Sequence, residues 1–276
     1  MGALGVIAGG GALPRSIAES ARTAGREVFV LGLGGYAEGW IAGFPHETVA
    51  LGELGKAVKA LRAHHCDDVT LAGKVSRPRF AEIRLDAKAV LAAPRVIAAA
   101  LKGDDALLRA VIDMFEREGL RVIGTAEAAP DLIAKAGTMG RIAPSTQARS
   151  DIAAALEIVR AMGTFDVGQA AIVCDGLPLA VEAAEGTDAM IARVASLPEQ
   201  IRGTRDKPRG VLVKAPKPTQ DRRTDLPVVG IETVRNAHAV FLTGLAVEAG
   251  GALIVDREAV VAEADRLGLF LQGIAN

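Results

Sequence analysis

The sequence predicts an α/β protein of two domains. The first, residues 1–130, is Rossmann-like and built on a parallel sheet; the second, residues 137–276, is of mixed α+β type. Three observations carry this reading. Through the first half, short apolar runs alternate with amphipathic stretches, the strand–helix rhythm of a doubly wound sheet. Between residues 126 and 147 that rhythm dissolves into small residues punctuated by Pro130, Gly137, Gly140 and Pro144. Beyond them Asp175-Gly176 lies between two apolar runs, a hairpin signal foreign to an all-parallel sheet. A length of 276 residues suits two domains of ordinary size.

The elements follow in order. Residues 4–8 form an apolar strand that ends in Gly9-Gly10-Gly11. A helix over 16–24 is closed by Gly25, and a β-rich run covers 27–31. Residues 49–51 and 69–72 read as further strands, with an amphipathic helix over 54–64 between them. Asp104 and Asp105 favour a helix start, Gly119 its stop, and 121–124 another buried strand. After the connector, a helix covers 151–162 and strands cover 170–173 and 179–181. Further strands are expected over 211–213, 244–247 and 253–255, with helices over 233–241 and 258–267.

Composition removes several function classes. Thirty-two basic against thirty-three acidic residues leave a net charge of −1, so no global field draws nucleic acid or an anionic membrane. Aromatics are 3% of the chain, too few for the stacking platforms of single-strand binders. Cys66 and Cys174 provide neither a disulfide framework nor metal-ligand spacing, which fits a reducing compartment. The N-terminus lacks a basic segment leading into an apolar run, and the apolar stretch 239–255 is broken by Thr243, Glu248 and glycines. The expectation is a soluble cytoplasmic protein.

Strand, Gly9-Gly10-Gly11, helix is a geometry in which backbone N–H groups hold an anion. The dinucleotide fingerprint fails in two places: Pro14 occupies the third glycine position, and Leu31-Gly32-Leu33-Gly34-Gly35 offers no acid after the second strand. A second glycine-led loop, Gly73-Lys74-Val75-Ser76-Arg77-Pro78, leaves another strand end but is no P-loop. Loops at the carboxyl ends of parallel strands are where such sheets bind ligands. His64-His65-Cys66-Asp67-Asp68 holds metal-ligand types, but consecutive residues seldom converge on one ion; they read as exposed junction residues. His46 and His238 read as structural, and no G-x-S-x-G elbow is present.

Polar groups in the second half concentrate in three segments. The first is Asp166-Val167-Gly168-Gln169. The second is Glu182 with Glu185-Gly186-Thr187-Asp188, where Thr187 or Asp188 alone reads as a helix cap. The third and densest spans residues 214–227. It carries Lys214, Lys217, Arg222 and Arg223 with Asp221 and Asp225, stiffened by Pro216, Pro218 and Pro227. Arg and Lys favour phosphate oxygens, and Mg²⁺ takes one or two carboxylates from a protein. Such a loop suits a metal-assisted phosphate reaction; a solvated, self-paired charged loop is the plainer alternative.

These segments resemble the UDP-2,3-diacylglucosamine pyrophosphatases of lipid A biosynthesis in Gram-negative bacteria, the LpxI family. The likeness runs nearly end to end and is carried by Ile7-Ala8-Gly9-Gly10-Gly11 with Leu13-Pro14, by Asp166-Val167-Gly168-Gln169, by Val181-Glu182-Ala183 with Glu185-Gly186-Thr187-Asp188-Ala189-Met190, and by residues 214–227. It implies hydrolysis of UDP-2,3-diacylglucosamine to UMP and 2,3-diacylglucosamine 1-phosphate (lipid X), with Mg²⁺ and with water attacking the sugar-side phosphorus. It implies an acylated sugar held between two domains, and Asp225 as the residue whose loss is most damaging. Asp225 is then expected to ligate Mg²⁺ or activate the water, and Asp221 to make a second metal contact. Lys214, Lys217, Arg222 and Arg223 are expected to bind phosphate. Gly10, Gly11 and Lys74 are the first domain's substrate contacts; Gln169, Glu185, Thr187, Asp188 and Gln220 complete the set. An acylated substrate further implies transient contact with the inner-membrane surface, although no strongly basic amphipathic helix stands out. A homodimer is compatible with the sequence, which does not fix oligomeric state. Two rival readings are a nucleotide-dependent oxidoreductase and a non-catalytic lipid- or nucleotide-binding module.

Overall fold

The structure is a computed structural model that describes residues 2–75, 83, 85–218, 223 and 226–275, without the side chains of 104 and 105. The chain divides into two compact units, Met1–Asp131 and Leu132–Asn276. None of the described helices is long and apolar enough to cross a membrane.

In the first unit β1 (Ala3–Ala8) is buried along its whole length and leads through the glycine run into α1 (Leu13–Thr23), which carries Pro14 in its first turn. Next come β2 (Val28–Leu33), β3 (His46–Val49), α2 (Leu54–Ala63) and β4 (Cys66–Ala72). The unit continues with α3 (Ala87–Ala100), α4 (Asp104–Arg117), β5 (Arg121–Val122) and the single turn α5 (Thr125–Ala128). All five strands are parallel, in the order β3-β2-β1-β4-β5. This is the order of doubly wound sheets, whose direction reverses between β1 and β4. Ile7, Phe29, Leu31 and Val69 meet Leu54, Val58 and Leu61 of α2 together with Ile112 and Phe115 of α4. Helix α1 packs over β1, β2 and β4 through Ile17, Ala18 and Ala21.

The outline expected from the sequence holds, though α1 starts earlier than expected, β5 stops at Val122 and α5 was not expected. The third strand covers Val49 but lies earlier than expected, over residues 46–49, because Leu51 already sits in the turn that starts α2. Helix α3 is not among the elements read from the sequence. It is alanine-rich, so its apolar period is faint, and Pro94 lies inside it, where proline ordinarily breaks a helix. Pro94 is on the exposed side of α3. The Val90 carbonyl that loses its helical donor therefore faces water and not a buried neighbour.

The second unit opens with β6 (Gly137–Thr138) and α6 (Thr146–Gly163), whose N-cap Ser145 accepts the Ala148 N–H at 3.1 Å. The hairpin β7 (Ala170–Cys174) and β8 (Leu177–Val181) turns at Asp175 and Gly176, both with positive φ, as a type I′ turn requires. The buried Asp151 carboxylate of α6 accepts the N–H groups of Asp175 and Gly176 at 3.0 and 2.8 Å and pins the turn. There follow α7 (Thr187–Val194), β9 (Val211–Lys214), β10 (Val228–Val229), α8 (Ile231–Ala239), β11 (Gly244–Glu248), β12 (Leu253–Ile254), α9 (Arg257–Leu267) and β13 (Phe270–Ile274).

The main sheet has the order β6-β13-β11-β9-β7-β8. Its centre, β13, β11 and β9, is parallel, and both flanks are antiparallel. Alternate residues divide the core in two. Ala170, Ile172, Leu212, Leu245 and Leu271 face α7, α8 and α9, while Ala171, Val173, Val213, Ala246 and Phe270 face α6. With both faces covered the strands read as unbroken apolar runs. At Gly244 a Cβ would stand 2.4 Å from the Phe270 ring, so the aromatic ring occupies the space of the missing side chain.

The junction residues of the first unit are not all exposed as expected. Cys66 is buried, and so is Asp68, whose carboxylate accepts Arg121 Nε at 2.6 Å and Nη2 at 2.8 Å, and Arg26 Nη2 at 2.5 Å. The Arg121 hydrogen bonds, followed by that of Arg26, hold the Asp68 carboxyl below its ordinary range. A depressed folded-state pKa means that the stabilisation is complete above the usual carboxylate range and fades as pH falls through the folded value. Asp68→Asn should cost about 1–3 kcal/mol near neutral pH, moderated by the exposure of Arg121. Denaturant unfolding should show the variant and the parent converging in acid; a gap independent of pH would mean that lost packing, and not lost charge, is responsible.

Candidate functional site

The three polar segments of the second half, far apart in sequence, meet at one end of the main sheet. Strand β9 runs antiparallel to β7, so its last residue, Lys214, lies opposite Ala170 at the start of β7. Ala215 N–H donates to Gln169 O at 3.1 Å, which joins the first segment to the third. Gln169 N–H donates to Glu182 Oε2 at 3.2 Å, which joins the first to the second. Backbones approach so closely here that a Cβ on Gly168 would lie 2.2 Å from the Glu182 carbonyl oxygen.

Three side chains complete the link. Lys214 Nζ donates to Thr187 Oγ1 and to the Val228 carbonyl, each at 2.9 Å. Thr187 Oγ1 lies 2.6 Å from Glu182 Oε1. A carboxylate only accepts and an ammonium only donates, so the Thr187 proton must point at Glu182 and its lone pair at Lys214. Both charged residues are buried, Glu182 at 7% and Lys214 at 5% exposure. One hydroxyl thus bridges a buried cation and a buried anion. Gln169 Oε1 is buried, with no hydrogen-bond partner among the described residues.

The loop that leaves β9 is clamped over its described part. Lys217 Nζ donates to Asp166 Oδ1 at 2.5 Å, and Pro218 packs so tightly on the end of α6 that a Cβ on Gly163 would lie 2.8 Å from its Cδ. Pro216 rests on Gly251 beside Glu248, the buried last residue of β11, whose Oε2 lies 3.4 Å from Arg160 Nη2. Arg223 is partly buried and has interaction partners. Gln220, Asp221, Arg222 and Asp225 lie outside the described residues.

Two other expected site residues have protein partners. Glu185 pairs with Arg193 at 3.2 Å, and Asp188 accepts Asn236 Nδ2 at 3.0 Å. Neither Thr187 nor Asp188 caps α7: its N-cap is Gly186, without a side-chain cap bond. The Thr187 hydroxyl is committed to Glu182 and Lys214 instead.

In the first unit the two glycine loops are zipped together. Gly10 N–H donates to Lys74 O at 2.9 Å, and Lys74 N–H donates to Gly10 O at 2.8 Å. Gly73 has φ +95°, and a Cβ there would meet Gly10 O and Pro14 Cγ at 2.7 Å. Gly9 N–H is likewise taken by Ala72 O at 2.8 Å. Of the three glycine amides only that of Gly11 meets a side chain, Glu38 Oε1, at 3.1 Å. An acid does therefore reach this loop from beyond the second strand, a few residues later than the stretch Leu31-Gly32-Leu33-Gly34-Gly35 suggested. The ammonium-bearing side chain of Lys74 is exposed at the same place.

Nucleophilic cysteine chemistry does not fit this chain. Cys66 and Cys174 are free and buried, and burial pushes each thiol up to about 11, so neither is a thiolate near neutral pH. A cavity lined by Arg205, Pro208, His238, Phe241 and Leu267 opens beside the amino ends of β11 and β13, at the opposite end from Lys214.

Glu248 and Glu38 are participants that the sequence did not single out, and Glu182 was named in the second polar segment without a role of its own. For Glu248 a signal existed: it follows Leu-Ala-Val at the end of a buried strand, where a charge persists only if paired.

The comparisons agree with the ends of this architecture. A family model described as the LpxI N-terminal domain matches residues 3–132, and one described as the LpxI C-terminal domain matches residues 135–272. The chain belongs to the LpxI family. The UDP-2,3-diacylglucosamine pyrophosphatase LpxI of Caulobacter vibrioides is 49% identical over 271 residues, covering 98% of this chain and 97% of that protein. Each of the three polar segments falls inside the matched C-terminal domain, and both glycine loops fall inside the N-terminal one.

The Thr187 bridge is open to a direct test. Thr187→Val keeps the shape but leaves Lys214 and Glu182 each short of a partner, a loss of roughly 2–4 kcal/mol in stability. Thr187→Ser retains the hydroxyl and should stay within about 1 kcal/mol. Guanidinium unfolding followed by circular dichroism separates them; equal losses would show that the methyl group, not the hydroxyl, matters.

Proposed function

We propose that this protein hydrolyses the pyrophosphate bond of UDP-2,3-diacylglucosamine, releasing UMP and 2,3-diacylglucosamine 1-phosphate for lipid A biosynthesis. The observation that carries the reading is 49% identity, over 98% of the chain, to a protein named for that activity. The convergence of Gln169, Glu182, Thr187, Lys214 and Lys217 at the carboxyl end of β9 supports it, since such sheets bind ligands at that end.

The chemistry needs charge neutralisation on two phosphates and a water in line with the leaving group. Lys214 and Lys217, with Arg222 and Arg223, supply the cations. Thr187 and Glu182 fix the Lys214 ammonium, so its charge stays in one place while substrate exchanges. Asp225, near the proline that fixes the loop's exit, takes the proton of the attacking water, and Asp221 lies four residues before it in the sequence. The water oxygen joins the sugar-side phosphorus, and the bridging oxygen leaves with UMP. In the first unit Gly11 and Lys74 contact the nucleotide or its phosphates.

Asp221 and Asp225 are also the residues that would hold Mg²⁺. Among the described residues no three His, Cys, Asp or Glu side chains converge. One or two carboxylates, with phosphate oxygens and water as the other ligands, is the donor set Mg²⁺ prefers when it is shared with substrate. Once bound, the ion would offset the charge that builds on the phosphate oxygens.

Two measurements address these assignments. Asp225→Ala should bind substrate with near-normal affinity and turn it over about 10²- to 10⁴-fold more slowly; near-parental turnover by the folded variant would remove Asp225 from the mechanism. Hydrolysis in ¹⁸O-water should label the sugar 1-phosphate and leave UMP unlabelled. Label in UMP would move the attack to the other phosphorus.

A further inference from the structure

Helix α3 exposes an apolar face that the fold does not use. Val90, Leu91, Ile97 and Leu101 are 54%, 81%, 45% and 85% exposed, and Pro94 and Ala98 are exposed beside them. At 3.6 residues per turn these six fall on one stripe about 120° wide that runs the length of the helix and ends on Leu101, its C-cap. The inner side, Ala89 and Ala100 with the partly buried Ala92, Ala93 and Val96, lies opposite. The helix therefore has two apolar faces: a narrow one, alanine but for Val96, for its own core and a broad aliphatic one for water.

Charge is distributed just as unevenly. Lys88, Arg95 and Lys102 are all exposed and share one flank of the stripe at seven-residue spacing, and residues 87–103 contain no carboxylate. Lys88 pairs with Glu118, which leaves Arg95 and Lys102 as the cations nearest the apolar edge. Leucine and isoleucine on one face with Arg and Lys along its border is the layout of helices that lie in a lipid interface, apolar side chains in the acyl boundary and cations at the headgroups. Exposed apolar surface of this extent marks an interaction site. The one-sided positive charge selects an anionic partner, which argues for phospholipid headgroups over a second copy of the same cationic face.

We propose that α3 docks the protein on anionic phospholipid surface, with Leu91 and Leu101 as the inserted side chains and Arg95 and Lys102 as headgroup contacts. The inference rests on the proposed acylated substrate for its purpose, since two acyl chains keep that substrate in a bilayer. For its existence it rests on the exposed face alone.

The experiment is co-sedimentation with vesicles of phosphatidylcholine containing phosphatidylglycerol, without substrate. The parent protein should sediment with them and be released by salt. Leu91→Asp with Leu101→Asp should abolish binding, and Arg95→Gln with Lys102→Gln should weaken it roughly tenfold or more. Both pairs change exposed side chains, so hydrolysis of detergent-dispersed substrate should be unchanged. Absence of vesicle binding by the parent, or equal binding by both variants, would overturn the proposal. So would a parent dimer that the leucine variant dissociates in sedimentation velocity, because the face would then belong to a second copy. Vesicle binding without hydrolysis by the parent would refute the proposed activity and leave the docking face standing; hydrolysis without vesicle binding would do the reverse.

Discussion

The interaction on which the second unit depends is the satisfaction of Lys214. A lysine at the end of a central strand, buried to 5% exposure, is tolerated only if its donors are met. Thr187 Oγ1 and the Val228 carbonyl accept from it, and the Thr187 hydroxyl in turn donates a hydrogen bond to Glu182. That arrangement ties the start of α7 and the end of β8 to the exit of β9. Because both charged members are buried, neither can move without stranding a charge. A constellation held this way is suited to presenting phosphate-binding groups in one geometry.

Close backbone packing is the second constraint, and it explains why so many of the decisive positions are glycine. Gly168 lies against Glu182, Gly163 against Pro218 and Gly73 against the Gly9-Gly10 turn, each nearer than a Cβ permits. In the first unit the same closeness changes what the glycine run does. Its first two amides are spent on the end of β4 and the loop after it, and the third on Glu38, so the run is chiefly a joint between two strand ends.

Helix α3 stands apart from both. The helices that cover the two sheets turn their larger apolar side chains inward, while α3 presents Val90, Leu91, Ile97 and Leu101 to water and mainly alanines to the core. Packing requires only small residues on most of its inner side, so the choice of Leu, Val and Ile outside is not explained by folding. A surface function is the physical alternative.

The sequence by itself determined the α/β class, the position of most strands and the three polar segments. Each rests on local chemistry: β-branched and apolar runs between glycines, a hairpin dipeptide with two positive-φ positions, and prolines around charges. Family membership was also legible, from Val181-Glu182-Ala183 with Glu185-Gly186-Thr187-Asp188-Ala189-Met190 and from residues 214–227. Only the tertiary structure decided that Thr187 bridges two buried charges when its position beside a helix start suggested a cap. Only it decided that Glu38 reaches Gly11, that Asp68 belongs to two arginines, and that the alanine- and proline-bearing stretch 87–100 is a helix with an unburied aliphatic face. All four depend on which side chains from distant strands and loops arrive at the same point, and burial then fixes the partner each polar group must take; spacing along the chain carries no record of either.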